Sequence, residues 1–335
     1  MPDGPGAVPD GATALRAAAA EAGRAPSILN SQPWRWRIHG DVLDLYADRS
    51  RRITSIDPDG RLMTLSCGAA LHHARVVLAA AGYEPAVTRC PDHGGADLLA
   101  RVRVAGPHEV RREDATNERS IGRRRSDRRP FPATEPVPAE TLMALHSAAA
   151  AEHAWLHRIA PEQVGFLATA EESAASIQDR DERYWTDLHA WTRRSHGSGE
   201  GVPPETVVSP AERRVPLRDF TLDGESLLDP GYGDDRYAEY LIVATDGDQR
   251  VDWLRAGEAV SAVWLAATSR DLAGSAMSDV VEVPGARALL AALLPRRGYP
   301  QLVLRFGLDM QQRRPPASPR LSAGSLIDIK SGSRP

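Results

Sequence analysis

Two Ala-rich stretches set the first constraint on the fold. One opens with Cys67-Gly68-Ala69-Ala70-Leu71, the other with Ala256-Gly257-Glu258-Ala259-Val260. Each runs on through about three helical turns of Ala, Val and Leu. Each leads toward a strand-like run of alternating apolar residues and Arg, LLARVRVA and LVLRFG. Helices apolar over so broad a face must be buried. A helix followed by a strand, twice, reads as an internal duplication. Any two buried Ala-rich helices look alike, so chance similarity is the competing reading.

The other elements follow from periodicity and punctuation. Residues 12–22 read as a short helix stopped by Gly23. WRWRIHG and DVLDLYAD alternate apolar and polar residues around Gly40-Asp41, which predicts an antiparallel hairpin. The first long helix is expected at 58–81, with EPAVTRC and DLLARVRVA as strands after it. Further helices are expected at 138–151 and 161–179, with HAWLHRI as a strand between them. DERYWTDLHAWTRRS continues as a helix into an irregular stretch, 196–236, rich in Gly, Pro, Ser and Asp. Segments of that kind in a compact protein are lids, binding loops or disorder. YLIVATD and YPQLVLRFG read as buried strands around the second long helix, and a Pro-, Arg- and Ser-rich tail begins near 309.

The 335 residues correspond to about two domain-sized units. With 42% hydrophobic and 26% charged residues, the composition is ordinary globular material. A net charge of −4 gives the whole molecule no reason to seek nucleic acid or an anionic membrane. Two cysteines, Cys67 and Cys90, are too few for a disulfide framework, and a reducing cytoplasm is the expectation. MPDGPGAVPDG lacks the basic-then-apolar pattern of a signal peptide, and no stretch was expected to approach a membrane span.

The cations are almost all arginine: Lys330 is the only lysine among 41 basic residues. Five of the arginines fall in Arg123-Arg124-Arg125-Ser126-Asp127-Arg128-Arg129. Within it, Arg124-x-Ser126-x-Arg128 can converge two guanidiniums and a hydroxyl on one anion such as a phosphate. If the segment opened the helix near 138, helix N–H groups would add to that site. A solvated basic face and a nucleic-acid patch are the competing readings. The run carries +4 in a chain of −4, so the remainder is −8, which favours a small local anion over a polyanion.

Two other segments are candidates. Ala25-Pro26-Ser27-Ile28-Leu29-Asn30-Ser31-Gln32-Pro33-Trp34 offers short polar side chains on a path fixed by two prolines, suited to a ring with many acceptors or to a plain capped connection. Ala273-Gly274-Ser275-Ala276-Met277-Ser278 reads as a turn of small residues after the second long helix, where backbone could approach a ligand. His72 and His73 are adjacent, so they cannot both ligate one metal from a helix face, and surface or partly buried positions are expected for them. No metal site is expected. Trp185 and Trp191, beside the irregular segment, could cover a ligand or pack helices.

Together, Arg-x-Ser-x-Arg, APSILNSQPW, AGEAVSAVWLAATSRDL and Gly298-Tyr299-Pro300 resemble the FMN-binding nitroreductase superfamily. The order is reversed from ordinary members, with APSILNSQPW at 25–34 and the arginine motif about a hundred residues later. That order, with Trp191-Thr192-Arg193 and Gly201-Val202-Pro203, resembles the Acg-like branch, whose members look like a nitroreductase dimer fused into one chain. The resemblance implies an α+β nitroreductase-like fold of two half-repeats, each with mainly antiparallel sheet flanked by helices. The halves would be 12–106 and 107–310, the second carrying the lid-like insertion at 196–236, with 311–335 as a tail.

It also implies one complete flavin site per chain, because each motif occurs once, and a degenerate counterpart. Arg124, Ser126 and Arg128 would hold the FMN phosphate, ribityl and pyrimidine edge. Pro26, Ser27, Asn30 and Gln32 would line the opposite side. The backbone at Ala276, Met277 and Ser278 would lie near flavin N5, and Arg313 or Arg314 would reach the phosphate. Two departures stand out: Leu29 replaces a histidine common in the branch, and Ala276 replaces a proline common in the N5 loop.

The implied activity is that of an FMN-dependent oxidoreductase. NADH or NADPH would be the electron donor, and a small nitroaromatic or quinone-like molecule the acceptor. No side-chain nucleophile is required. The alternatives are a flavin-storage protein closed by the lid-like segment and a specialised flavin dehydrogenase of a biosynthetic pathway. The chain would act as a monomeric pseudo-dimer or a homodimer.

Overall fold

A computed structural model describes residues 11–93, 95–131, 135–194, 197–211, 213–222, 226–231, 233–308 and 314–329. The first part runs α1 (Gly11–Ala22), β1 (Trp34–His39), β2 (Val42–Ala47), α2 (Arg61–Ala80), β3 (Tyr83–Arg89), β4 (Leu98–Pro107) and α3 (Arg112–Arg123). It continues with α4 (Ala139–Ala151), β5 (Trp155–Arg158), α5 (Val164–Gln178) and α6 (Glu182–Thr192). After the long irregular segment come β6 (Glu239–Thr245), α7 (Arg250–Thr268), β7 (Leu272–Met277), α8 (Asp279–Glu282), α9 (Pro284–Leu293) and β8 (Tyr299–Leu308). The chain closes with α10 (Ala323–Leu326) and β9 (Ile327–Ile329).

The strands form two sheets, ordered β3-β4-β2-β1-β9 and β5-β6-β8-β7. Apart from β9 they are antiparallel throughout. Reading β1, β2, β3, β4 against β5, β6, β7, β8 gives the same spatial order in both sheets. This is an α+β architecture. The β1–β2 hairpin turns at Gly40, whose φ of 58° suits the twist of a two-residue turn. In β6 all seven residues are buried, which explains its unbroken apolar reading.

One expectation is corrected. The segment from Ala273 is not a turn: its residues through Met277 are the strand β7, paired with β8, and a Cβ on Gly274 would lie 2.4 Å from the Phe306 ring. The tail, for which no element was expected, returns to add β9 parallel to β1, at the edge of the first sheet.

α2 and α7 pack against each other at the centre. They cross at two glycines. A Cβ on Gly68 would lie 2.0 Å from the Leu254 carbonyl oxygen, and one on Gly257 would lie 1.9 Å from the Leu65 carbonyl oxygen. Gly68 and Gly257 are 189 positions apart, as are Leu65 and Leu254. Each helix thus presents the same surface to the other, which is the signature of a two-fold contact. His72 and Ser261, again 189 apart, bond to each other across it at 2.8 Å. His72 and His73 were expected at surface or partly buried positions; both are buried, because this whole stretch of α2 is covered by its neighbours. The apolar cores interlock likewise: Leu62 and Leu65 of α2 join the core of the second sheet, and Leu254 of α7 joins that of the first. α2 is also long and apolar enough to cross a membrane, contrary to the expectation that no segment would be; 83% of its most apolar window is buried inside the protein.

Candidate functional site

The arginine motif sits on a loop pinned from beneath. α3 ends at Arg123, and Arg124 is its C-cap, so the motif follows a helix C-terminus and does not open a helix N-terminus. Arg305 of β8 is wholly buried and donates to the carbonyls of Asp127 (3.0 Å) and Arg129 (2.8 Å). Its charge is met by Asp235, which also accepts from the Phe131 N–H at 2.7 Å. Asp127 pairs with Arg129 at 2.6 Å, and its N–H donates to Gly274 in β7. From Arg124 to Arg129 the run is therefore buried or half-buried, and only Arg123 is exposed.

The five arginines of the run have different fates. Arg129 is neutralised by Asp127, and the exposed Arg123 pairs with Asp271 at 2.6 Å. Arg125 donates to the carbonyls of Gly122 and Arg124. Arg128 donates to the Thr206 carbonyl and lies 4.6 Å from the Phe220 ring centre. Arg124 is 6% exposed, stacks 4.9 Å from the Trp264 ring centre, and keeps Nε and Nη1 buried without a hydrogen-bond partner.

Beside this loop lies a cavity open to solvent. One wall is the face of α2 that carries Leu62, Ser66 and Ala69; another is Val260 and Trp264 of α7. Ser275, Ala276 and Met277 of β7, with Ser278 beyond it, form the floor. Pro26, Ser27, Ile28 and Leu29 close one side, and Leu217, Arg218 and Phe220 from the irregular segment close the other. Ser126 and Arg128 supply the polar end. The lining is largely apolar with a few convergent polar groups, as in sites for flat organic ligands.

Ser126 also lines a second pocket of about 380 Å³, with Arg24, Arg124, Arg125, Ser318 and Arg320. Burial and the neighbouring charges of Arg320 and Arg125 pull the Arg124 guanidinium down to about 9. Burial, with Arg24 and Arg125, pulls Arg320 to about 10. Like charges this crowded are held at a cost that a bound anion would relieve. An apolar slot and an arginine pocket thus meet at one serine.

Of the anticipated residues, Pro26, Ser27, Ser126, Arg128, Ala276, Met277 and Ser278 line the slot, and Arg124 lines the adjoining pocket. Asn30 and Gln32 do not line either. Asn30 Nδ2 donates to the carbonyls of Gly201 and Pro319, each at 3.0 Å. Gln32 Nε2 donates to the Gly199 carbonyl at 2.7 Å, and its Oε1 accepts from Leu321 N–H at 3.0 Å. They fasten the irregular segment and the tail to the 25–34 loop. Leu29, Asn30 and Gln32 have φ of 44°, 54° and 49°, a strained path on which Leu29 still lines the slot while Asn30 and Gln32 do not. Arg314 is exposed and faces Asp271, on a smaller pocket with Arg123 and Arg125. Arg313 lies outside the described residues. Neither Trp185 nor Trp191 lines the slot; both pack in a separate apolar cluster.

Residues not anticipated include Arg24, Arg320, Trp264 and, from the irregular segment, Leu217, Arg218 and Phe220. Arg24 directly precedes APSILNSQPW, a local signal that could have been used. Arg320 reaches the pocket only because the tail folds back, which no local pattern shows. Arg218 anchors that segment: its side chain is 3% exposed and pairs with Glu282 (2.5 Å) and Asp279 (3.3 Å). Nearby, the buried Glu171 carboxyl is pushed well above its ordinary range by desolvation, with Asp279 and Glu282 adding to the effect. Among the described residues, no group of His, Cys, Asp and Glu is placed to hold a metal ion.

The 189-residue offset also relates positions around the slot to others in the chain. Ala69 corresponds to Glu258, Trp264 to Arg75, and Ser278 to Arg89. Those three side chains bond to one another: Glu258 accepts from Arg75 at 2.7 Å and from Arg89 at 2.6 and 2.9 Å. Arg75 also pairs with Glu152 at 2.5 Å. Where the slot has small and aromatic walls, the positions 189 residues away carry an ion-pair network. Replacing Glu258 by Ala strands the Arg89 guanidinium and leaves Arg75 with Glu152 alone, and should cost about 3 kcal/mol of stability. Urea denaturation checks this; a loss below about 1 kcal/mol would mean the network behaves like a surface pair.

Comparison with known proteins adds the following. The nitroreductase family profile matches residues 121–307. The acg protein of Mycobacterium tuberculosis, which carries a provisional NAD(P)H nitroreductase name, is 33% identical over 320 residues, covering 94% of this chain and 96% of its own. A second protein of that organism, provisionally named likewise, is 34% identical over 309 residues, or 91% of this chain and 88% of its own. Among solved structures, a nitroreductase with bound FMN from Bacteroides fragilis aligns with TM-score 0.40 at 15% identity, covering 64% of this chain and 98% of that one.

Proposed function

The chain belongs to the nitroreductase family, and from that premise we propose that it is an FMN-dependent NAD(P)H oxidoreductase acting on nitroaromatic or quinone-like acceptors. The observation that carries this reading is the junction of the apolar slot with the arginine pocket at Ser126. FMN has the same plan, a flat ring joined by a polar chain to a phosphate. The buried guanidinium of Arg124, with Nε and Nη1 unpartnered, fits the phosphate, and Arg24 and Arg320 line the same pocket. Arg128, at the polar end of the slot, suits the pyrimidine edge, where a cation stabilises negative charge on a reduced ring.

When bound, FMN would supply the two-electron chemistry, accepting hydride at N5 from a reduced nicotinamide and delivering it to an acceptor. The protein's own part is positional. Trp264 and Val260 would support the ring from one side, and Ala276, Met277 and Ser278 would bound it near N5. The 25–34 loop, braced by Ser66 Oγ accepting from Ile28 N–H, holds the opposite wall. We place the two halves at 12–106 and 107–310, with the site between them and its counterpart closed by Glu258, Arg75 and Arg89. On this reading the chain is a pseudo-dimer with one flavin.

One observation favours a second reading, flavin storage. Leu217, Arg218 and Phe220 sit on the slot, and Arg218 is locked by two carboxylates, so the lid can exclude donors and acceptors. The purified yellow protein decides. Oxidation of NADH or NADPH with a nitroaromatic supports the enzyme; a flavin that stays oxidised with both donors supports storage. If the lid limits access, Phe220→Ala should raise kcat/KM for bulky acceptors several-fold with FMN content unchanged. Unchanged kcat/KM would mean the lid is not limiting.

A further inference from the structure

The arginine pocket is assembled from three separate stretches of chain. Arg24 precedes the 25–34 loop, Arg124 and Arg125 follow α3, and Arg320 comes from the returning C-terminal segment. Among the described residues, no carboxylate lines this pocket. Arg24 has Glu21 as a partner at 2.9 Å, but Arg320 meets only neutral oxygens. It donates to Asn30 Oδ1 and to the carbonyls of Pro319 and Arg24, the last two at 3.1 Å. Arg124 reaches the same Arg24 carbonyl at 3.4 Å. Two guanidiniums from remote segments thus converge on one neutral oxygen, an arrangement that an anion would satisfy better. Until an anion arrives, like charges oppose the return of the tail.

What holds the tail in place is slight. Of residues 314–329, only Pro315 and Leu326 are buried. β9 has three residues at a sheet edge, paired with β1, and Asp328 and Ile329 are exposed. The other ties come from the 25–34 loop: Asn30 Nδ2 donates to the Pro319 carbonyl, and Gln32 Oε1 accepts from the Leu321 N–H. These bonds fall on the residues directly before and after Arg320, so fastening the tail and placing its guanidinium in the pocket are one event. A segment with so little buried apolar surface opens at low cost.

We infer that residues 314–329 form a strap whose docking is coupled to an anion in the arginine pocket. With the flavin phosphate bound, Arg320 bridges to it and the strap closes along β1. Without it, repulsion from Arg24, Arg124 and Arg125 loosens the strap. This rests on the FMN reading above and goes beyond it, because cofactor loading then controls whether the edge of the first sheet is covered. Coupling is reciprocal, so the strap retains the flavin to the extent that the flavin retains the strap.

The test is amide hydrogen exchange over residues 315–329 in flavin-free protein, with FMN, and with riboflavin, which lacks the phosphate. In the wild type, FMN should slow exchange about tenfold, the worth of one hydrogen bond to a charged group, and riboflavin should leave it unchanged. Arg320→Gln removes the cation and keeps an amide donor for Asn30. Its flavin-free strap should exchange more slowly than the wild type's, FMN should no longer change the rate, and FMN affinity should fall about tenfold with riboflavin affinity unchanged. Exchange indifferent to FMN, slowed as much by riboflavin, or still FMN-dependent in Arg320→Gln would overturn the inference while leaving the flavin site intact. Wild-type protein that binds neither flavin would overturn it together with the FMN reading.

Discussion

Arg124→Ala is expected to lower FMN affinity by about a hundredfold, whereas Arg123→Ala leaves it within about twofold. The two residues are adjacent and chemically identical, so the contrast isolates geometry. Arg124 is buried with two donors unpaired, and it belongs to the arginine pocket. Arg123 is exposed and already paired with Asp271. A solvated pair contributes little and is screened by salt. Folding loss is separable from binding loss: removing a buried guanidinium crowded by Arg320 and Arg125 takes away a destabilising charge, so the flavin-free variant should melt near the wild-type apoprotein. Fluorescence titration measures the affinities, and equal losses at both positions would mean that the run is a generic basic patch.

Gly257→Ala is expected to destabilise the protein by about 3 kcal/mol or more, and Gly68→Ala by a similar amount. The added methyl at 257 would meet the Leu65 carbonyl oxygen at 1.9 Å and the Gly68 Cα at 2.9 Å. Both obstacles are backbone, so no side chain can swing aside, and α2 and α7 must separate. Their separation would also part the walls of the slot, so FMN retention should fall with stability. Gly285→Ala is the control: nothing lies within 4 Å of a Cβ there, and its effect should be small. Denaturant unfolding of the three variants checks the ranking, and a Gly257→Ala protein as stable as Gly285→Ala would show that the helices do not cross where described.

Legibility in the sequence followed the range of the interactions. The β1–β2 hairpin and the long helices were readable because alternation, Gly40 and broad apolar faces are local signals. β7 was misread because Gly274, Ser275 and Ala276 have the composition of a turn. Their strand character comes from pairing with β8 and from the Phe306 ring against Gly274. β9 was missed because three residues in a Pro-rich tail become a strand only on meeting the edge of the first sheet.

In the site, Ser126 and Arg128 were legible from motif spacing. Asn30 and Gln32 were assigned to the ligand because their polarity was visible and their partners, Gly199, Gly201, Pro319 and Leu321, were remote in sequence. Arg305 looked like an ordinary strand residue. Only the fold shows that it is the buried cation supporting the motif loop. Glu258 likewise sat unnoticed within the repeat that defined its importance.

The central claim is that one inter-half cleft holds a single FMN while its counterpart is closed by Glu258, Arg75 and Arg89. The most direct measurement is the number of FMN equivalents bound per chain, by titration of flavin-free protein with its concentration fixed independently. The account predicts one. Two equivalents would mean that the ion-pair network does not close the second cleft, and none would mean that the arginine pocket and the slot serve some other ligand.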